Sequence, residues 1–130
     1  MVMLKGKTVL IADDNERNIF ALSAILRAKG MRIISAENGE MAIEKIKEFS
    51  EIDIVLMDMM MPVMDGYEAM KYIRTVLKKE KLPIIALTAK AMKGDREKCL
   101  EAGATEYCPK PVDFGNLKEI MLLYLDHPEE

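Results

Sequence analysis

Three carboxylates in this sequence directly follow apolar segments of the kind that form buried strands. Asp58 comes after the apolar run Ile52–Met57, and Asp13 and Asp14 come after the run Thr8–Ala12. A carboxylate at the end of a buried strand is costly to hide from water, so it must face a group of opposite charge. We therefore interpret the three carboxylates as parts of one anionic pocket that binds a cation.

The segments that must position these carboxylates alternate along the chain. Continuous apolar runs predict five buried strands, at Thr8–Ala12, Met31–Ala36, Ile52–Met57, Leu82–Thr88 and Thr105–Cys108. Apolar residues at helical spacing predict a helix after each strand, at Asn15–Lys29, Gly39–Phe49, Gly66–Leu77, Lys93–Ala102 and, after a cap at Asp113, through Leu125. Such an alternation favours a parallel sheet that is covered on both faces.

The predicted fold is therefore α/β, a doubly wound (βα)5 fold of the flavodoxin-like type. Its five-stranded parallel sheet has the order 2-1-3-4-5, with helices on both faces. Ligands of such sheets bind outside the carboxyl ends of the first and third strands. Asp13, Asp14 and Asp58 lie at those ends, so the fold and the charges indicate the same site.

Length, charge and cysteine content limit the classes of protein to consider. The 130 residues favour one domain, residues 1–130, with a core at about residues 5–125. A net charge of −3 argues against direct binding of nucleic acid, and no apolar stretch approaches the roughly 20 residues that insertion across a membrane requires. Cys99 and Cys108 have no disulfide or metal spacing, so we interpret them as reduced thiols of a cytoplasmic protein.

Four motifs occur in order, each at the end of a predicted strand. They are Asp13-Asp14, Asp58 with the Met-Pro-x-Met-Asp-Gly turn that follows it, Thr88-Ala89 and Lys110-Pro111. In this combination the chain, from about Lys5 to Leu125, resembles the receiver domain of bacterial two-component response regulators. The segment from Thr88 to Ala104 is most similar to receiver modules of hybrid sensor kinases.

The resemblance implies that Asp58 accepts a phosphoryl group from the phosphohistidine of a sensor histidine kinase or a histidine phosphotransfer protein. It implies a Mg²⁺ ion (or Mn²⁺) held directly by Asp14, Asp58 and the backbone carbonyl of Met60, with Asp13 as a direct or water-mediated ligand. Hard divalent cations prefer such oxygen ligands. Without the resemblance, Asp13 and Asp14 can equally be caps of the helix that follows them.

The resemblance also assigns roles to residues near the later strands. Lys110 and the Thr88 hydroxyl bind phosphoryl oxygens, and Pro111 follows Lys110 through a cis peptide bond. Thr88 then moves toward the phosphoryl group and Tyr107 rotates inward, which changes a partner-binding face formed by helix 4, strand 5 and helix 5. The alternatives are an ordinary strand-end Thr88, a solvated Lys110 and a half-buried Tyr107 without a switching role.

Two residues beside the site differ from common receiver patterns. Met60 follows Asp58 by two positions, and Lys90 follows Thr88 by two. Family members tune the lifetime of the acyl phosphate at these positions. Because a thioether cannot orient an attacking water, we predict slow self-dephosphorylation.

Other functions fit the sequence less well. An aspartyl-nucleophile phosphatase would need an acid/base Asp where Met60 stands. A receiver-like module that binds partners without phosphorylation would not need the intact acidic and basic set. We therefore predict a switch that promotes only its own phosphorylation and dephosphorylation rather than an enzyme. We expect no output domain after Leu125, and the sequence is compatible with either a stand-alone regulator or part of a hybrid kinase.

Overall fold

Five strands alternate with five helices in the computed structural model of the chain, which describes residues 4–89 and 94–125. The strands are β1 (Thr8–Ala12), β2 (Arg32–Ala36), β3 (Ile54–Asp58), β4 (Ile84–Thr88) and β5 (Glu106–Pro109). The helices are α1 (Glu16–Ala28), α2 (Gly39–Glu48), α3 (Gly66–Thr75), α4 (Asp95–Ala102) and α5 (Phe114–Leu125). All strand pairs are parallel, in the order β2-β1-β3-β4-β5, which confirms the predicted topology.

Several elements begin or end at residues other than those predicted. β3 starts at Ile54; just before it, the Asp53 amide donates to the Thr8 carbonyl and the Asp53 carboxylate accepts from the Thr8 amide, each at 2.8 Å. β3 also includes Asp58, so the candidate nucleophile belongs to the strand itself. α1 starts at Glu16 because Asn15 is its N-cap and accepts bonds from the first-turn amides. The predicted start of the fourth helix at Lys93 lies outside the described residues.

The sheet lies between two apolar layers. The central strands β1, β3 and β4 are buried along their whole length, as expected for parallel strands covered on both faces. One layer packs α2, α3 and α4 against residues such as Leu10, Val55 and Ala86, and the other packs α1 and α5 against Ile11 and Leu56. This rigid support fixes the residues that follow β1, β3 and β4.

In the part of the chain that the structure describes, no helix combines the length and apolar character needed to cross a membrane.

Candidate functional site

The carboxyl ends of β1 and β3 bring the three predicted carboxylates together. Asp13, Asp14 and Asp58 each offer an oxygen, and these oxygens lie within 4.8 Å of one another. Asp13 is 1% exposed and Asp58 4% exposed, whereas Asp14 faces solvent. The predicted anionic pocket therefore has two buried carboxylates and one at its rim.

Lys110 is the cation that reaches both buried carboxylates. Its Nζ lies 3.3 Å from Asp58 Oδ1 and 3.4 Å from Asp13 Oδ2. The Lys110 amide donates to the Thr88 carbonyl at 2.8 Å, which ties the loop after β5 to the end of β4. The Lys110-Pro111 bond is cis, as the resemblance implies. The predicted alternative of a solvated surface lysine does not describe this side chain.

Asp58 is held in an environment that disfavours its charge. Its pKa is raised above the usual value, mainly because burial penalises the ionised form. The Met60 amide, which donates to Asp58 Oδ1 at 3.2 Å, lowers the pKa, Asp13 raises it, and Lys110 lowers it. Since burial and Asp13 together outweigh the Met60 amide and Lys110, a cation bound beside Asp58 would favour its ionised form.

Asp13 is positioned by two asparagines that sequence reasoning did not assign to the site. The Asn15 amide donates to Asp13 Oδ1 at 2.9 Å. The Asn18 side-chain Nδ2 donates to Asp13 Oδ2 at 3.4 Å. Asn18 follows the N-cap Asn15 by three positions, so it faces the same side of the first helical turn. That spacing was the available indication, and it is weak by itself.

The remaining predicted residues lie around this pocket. Thr88 is 3% exposed at the end of β4. Tyr107 is half-buried in β5, pairs with Ala86 of β4 and packs against the layer formed with α4. Met60 is 60% exposed beside Asp58. Lys90 lies outside the described residues.

The donor set fits a hard divalent cation. Three carboxylate oxygens within 4.8 Å of one another supply the ligand type that Mg²⁺ prefers. Mn²⁺ accepts the same ligands. Burial, and to a lesser extent Asp13, raise the pKa of Asp58, and a bound cation would favour its ionised form. Asp13, Asp14 and Asp58 can therefore hold such an ion.

Comparison with known proteins matches the chain to one family of domains. The model of the response regulator receiver domain family matches residues 9–122. The chain is 36% identical over 117 residues to the signal transduction histidine-protein kinase BarA of Escherichia coli K12, covering 90% of this chain and 13% of BarA. It is 40% identical over 117 residues to hybrid signal transduction histidine kinase M of Dictyostelium discoideum, covering 87% of this chain and 5% of that kinase. The chain thus spans a small part of these relatives.

Solved structures show the same fold. One match is the receiver domain of the sensor histidine kinase PA1611 from Pseudomonas aeruginosa, a structure with magnesium coordinated in the active site cleft. Its TM-score is 0.85 at 37% sequence identity, and the match covers 94% of this chain and 99% of that one. Another match is the receiver domain of Ssk1 from Saccharomyces cerevisiae, in complex with the histidine phosphotransfer signaling protein Ypd1. Its TM-score is 0.84 at 32% sequence identity, and the match covers 92% of this chain and 88% of that one.

Proposed function

We propose, from the premise that this chain belongs to the response regulator receiver domain family, that Asp58 is the phosphoacceptor of a two-component signalling switch. Members of the family are such switches, and the donor would be the phosphohistidine of a sensor histidine kinase or a histidine phosphotransfer protein. The observation that carries the assignment is the position of Asp58. It is the buried carboxylate at the end of a central strand, 3.3 Å from Lys110 and within 4.8 Å of two further carboxylates.

In this proposal the acidic residues of the pocket bind the metal ion and Lys110 binds the phosphoryl group. Asp13, Asp14 and Asp58, with the Met60 carbonyl, hold Mg²⁺ or Mn²⁺. When bound, the ion would neutralise charge that develops on the phosphoryl group. Lys110 supplies a compact ammonium to a phosphoryl oxygen.

The switch proposal rests on Thr88 and Tyr107, which occupy adjacent strands. Thr88 is buried at the end of β4, close to the carboxyl end of β3, so its hydroxyl is suited to a phosphoryl oxygen. Tyr107 pairs with Ala86, two residues before Thr88, and is only half-buried. Movement of Thr88 would give Tyr107 room to turn inward. If Tyr107→Ala leaves the phosphorylation-dependent change in partner affinity intact, the switch assignment is wrong.

The donor protein would pack beside α1. A groove of about 480 Å³ is lined by apolar residues of α1 and of the segment after β5, including Leu22, Ile25 and Phe114, and it reaches Asp13 and Lys110. An apolar groove that ends at the acceptor site suits a helix that carries a phosphohistidine. The receiver domain of Ssk1 in complex with Ypd1 is a precedent for such a pairing.

The downstream partner would contact the face formed by α4, β5 and α5. Arg96 of α4 and Glu106 of β5 form a two-point ion pair, with the Nε–Oε1 distance at 3.0 Å, and Glu106 Oε1 also accepts from the Tyr107 amide at 3.0 Å. The backbone of β5 at Tyr107 is thereby tied to α4. Leu123 of α5 is 63% exposed and supplies an apolar contact for a partner protein.

Intact-mass measurement after treatment with acetyl phosphate and Mg²⁺ tests the acceptor assignment. The wild-type chain should gain one phosphoryl group and Asp58→Asn none. Asp65→Asn is the matched control, since Asp65 lies in the same loop but serves as the N-cap of α3, a role that asparagine can also fill. An Asp58→Asn variant that is still modified at the wild-type rate would contradict the proposal.

Two further measurements, turnover of a small phosphate ester and partner binding, separate the alternatives. An aspartyl-nucleophile phosphatase would turn over a small phosphate ester repeatedly, whereas a switch that acts only on its own acyl phosphate would not. A phosphorylation-independent module would bind its partner equally well with Asp58→Asn.

The buried thiols of Cys99 and Cys108 are free, which suits the cytoplasmic location that the proposal includes.

A further inference from the structure

Asn18 of α1 connects the helix surface to the most buried carboxylate of the site. Its side chain is exposed and lines the groove described above, yet its Nδ2 reaches Asp13 Oδ2 at 3.4 Å. Lys110 Nζ approaches the same oxygen, also at 3.4 Å. The other oxygen, Asp13 Oδ1, accepts from the Asn15 backbone amide at 2.9 Å. The orientation of this carboxylate is thus determined by three donors, of which Asn18 and Lys110 are side chains.

A carboxylate has about four lone-pair positions, two on each oxygen. Asn18 and Lys110 both donate to Oδ2 of Asp13 and occupy its two lone pairs. Among the described residues, Oδ1 accepts a bond only from the Asn15 amide. Oδ1 therefore keeps a lone pair for a cation. Without Asn18, only the Lys110 ammonium, which also pairs with Asp58, would hold Oδ2, and the carboxylate could rotate more freely about its bond to the Asn15 amide.

We propose that Asn18 is a positioning residue that fixes the rotation of the Asp13 carboxylate and thereby sets the affinity of the acidic cluster for its divalent cation. The inference rests on the proposed function, because it concerns the same metal site. Groups that orient metal ligands typically contribute 10–100-fold to metal affinity. The long hydrogen bond of Asn18 suggests the lower end of that range.

The test is calorimetric titration of Mg²⁺ into the unphosphorylated protein, with thermal melts in EDTA to establish that each variant is folded. Asn18→Ala should bind Mg²⁺ about tenfold more weakly. Asn18→Gln retains the amide donor on a longer side chain and should restore the affinity to within about threefold. Asn116→Ala is the matched control, since the side-chain Nδ2 of Asn116 donates to Cys108 Sγ at 3.8 Å and to no carboxylate of the metal site. This variant should bind Mg²⁺ with the wild-type affinity.

A second measurement separates metal affinity from the phosphotransfer chemistry. With acetyl phosphate, Asn18→Ala should need about tenfold more Mg²⁺ for half-maximal phosphorylation but reach the wild-type maximal rate when Mg²⁺ saturates. Wild-type Mg²⁺ affinity in Asn18→Ala would overturn the inference, and so would equal weakening by the Ala and Gln variants. A wild-type chain that is not phosphorylated on Asp58 would instead overturn the proposed function, while the calorimetric comparison would still decide the role of Asn18.

Discussion

Replacement of Arg74 by alanine should destabilise the protein by about 3 kcal/mol while leaving Asp58 able to be phosphorylated. Arg74 lies in α3, and its half-buried guanidinium donates to the carbonyls of Gly103 at 2.9 Å and of Lys79 and Leu82 at 2.7 Å each. It also donates to Thr105 Oγ1 at 3.3 Å. One side chain thus joins the end of α4, the segment before β4 and the start of β5.

The magnitude follows from these bonds. A hydrogen bond to a charged donor contributes roughly 1.5–3 kcal/mol, and less where water can replace the lost partner. Burial lowers the pKa of Arg74, so part of the gain is offset by the cost of desolvating the guanidinium. We therefore expect a loss near the value of two well-made bonds, about 3 kcal/mol. For a chain of this size that corresponds to a fall in melting temperature of about 10 °C.

Thermal melts followed by circular dichroism measure this effect, and acetyl phosphate labelling at 15 °C reports on the site. Arg27→Ala is the matched control, since Arg27 is an exposed arginine in the last turn of α1 and should change stability by less than about 0.5 kcal/mol. A fall of less than 3 °C in Arg74→Ala would refute the reasoning about the bonds. Loss of labelling in the folded variant would refute the separation of Arg74 from the phosphorylation site.

Three further predictions concern the site itself. Val63 is 75% exposed and has a φ of 68° in a tight turn, which a 2.7 Å bond from the Met64 amide to the Pro62 carbonyl closes. Since glycine adopts a positive φ without strain, Val63→Gly should raise the free energy of unfolding, measured in urea melts, by about 1 kcal/mol. The control Val76→Gly, at a φ of −93°, should lower it. Because folding raises the Asp58 pKa, the stability that this carboxyl contributes is present at acid pH and lost as pH rises through its folded pKa. In EDTA, Asp58→Asn should therefore gain stability relative to wild type as the pH rises above the usual pKa of 3.8, and a difference that stays constant with pH would contradict this. The exposed thioether of Met60 cannot activate water, so the acyl phosphate should persist for many minutes with Mg²⁺, and radiolabel decay within seconds would show the opposite.

The topology and the acidic cluster were predictable because both depend on patterns that are local in the sequence. Continuous apolar runs indicate doubly covered strands, and the order of such strands places Asp13 and Asp58 at one edge. The contacts of Arg74 were not predictable in this way. Its acceptor Thr105 lies 31 residues away, and the helical pattern of α3 gives no indication of such a partner.

The α1 helix shows a second limit of periodicity. Ile25 has the helical spacing of this apolar face, yet it is 38% exposed, while Leu22 and Leu26 are buried. An apolar stripe shows which side of a helix avoids water but not how far the core extends beneath it. In α1 the apolar stripe extends beyond the part that packs against the core. The part left uncovered, including Ile25, lines the groove that leads to Asp13 and Lys110.

Stability and chemistry are concentrated at opposite ends of the sheet. At the amino ends of β4 and β5, the Thr105 hydroxyl accepts from both Arg74 and the Ile84 amide, so the polar groups there are joined by hydrogen bonds. At the carboxyl ends, Asp58 keeps a raised pKa because its charge is buried and incompletely paired. A cation or phosphoryl group can shift the conformation only through binding free energy that differs between states. The buried carboxylates are where a bound cation would add such free energy, and the hydrogen bonds of Arg74 and Thr105 stabilise the opposite end of the sheet independently of it.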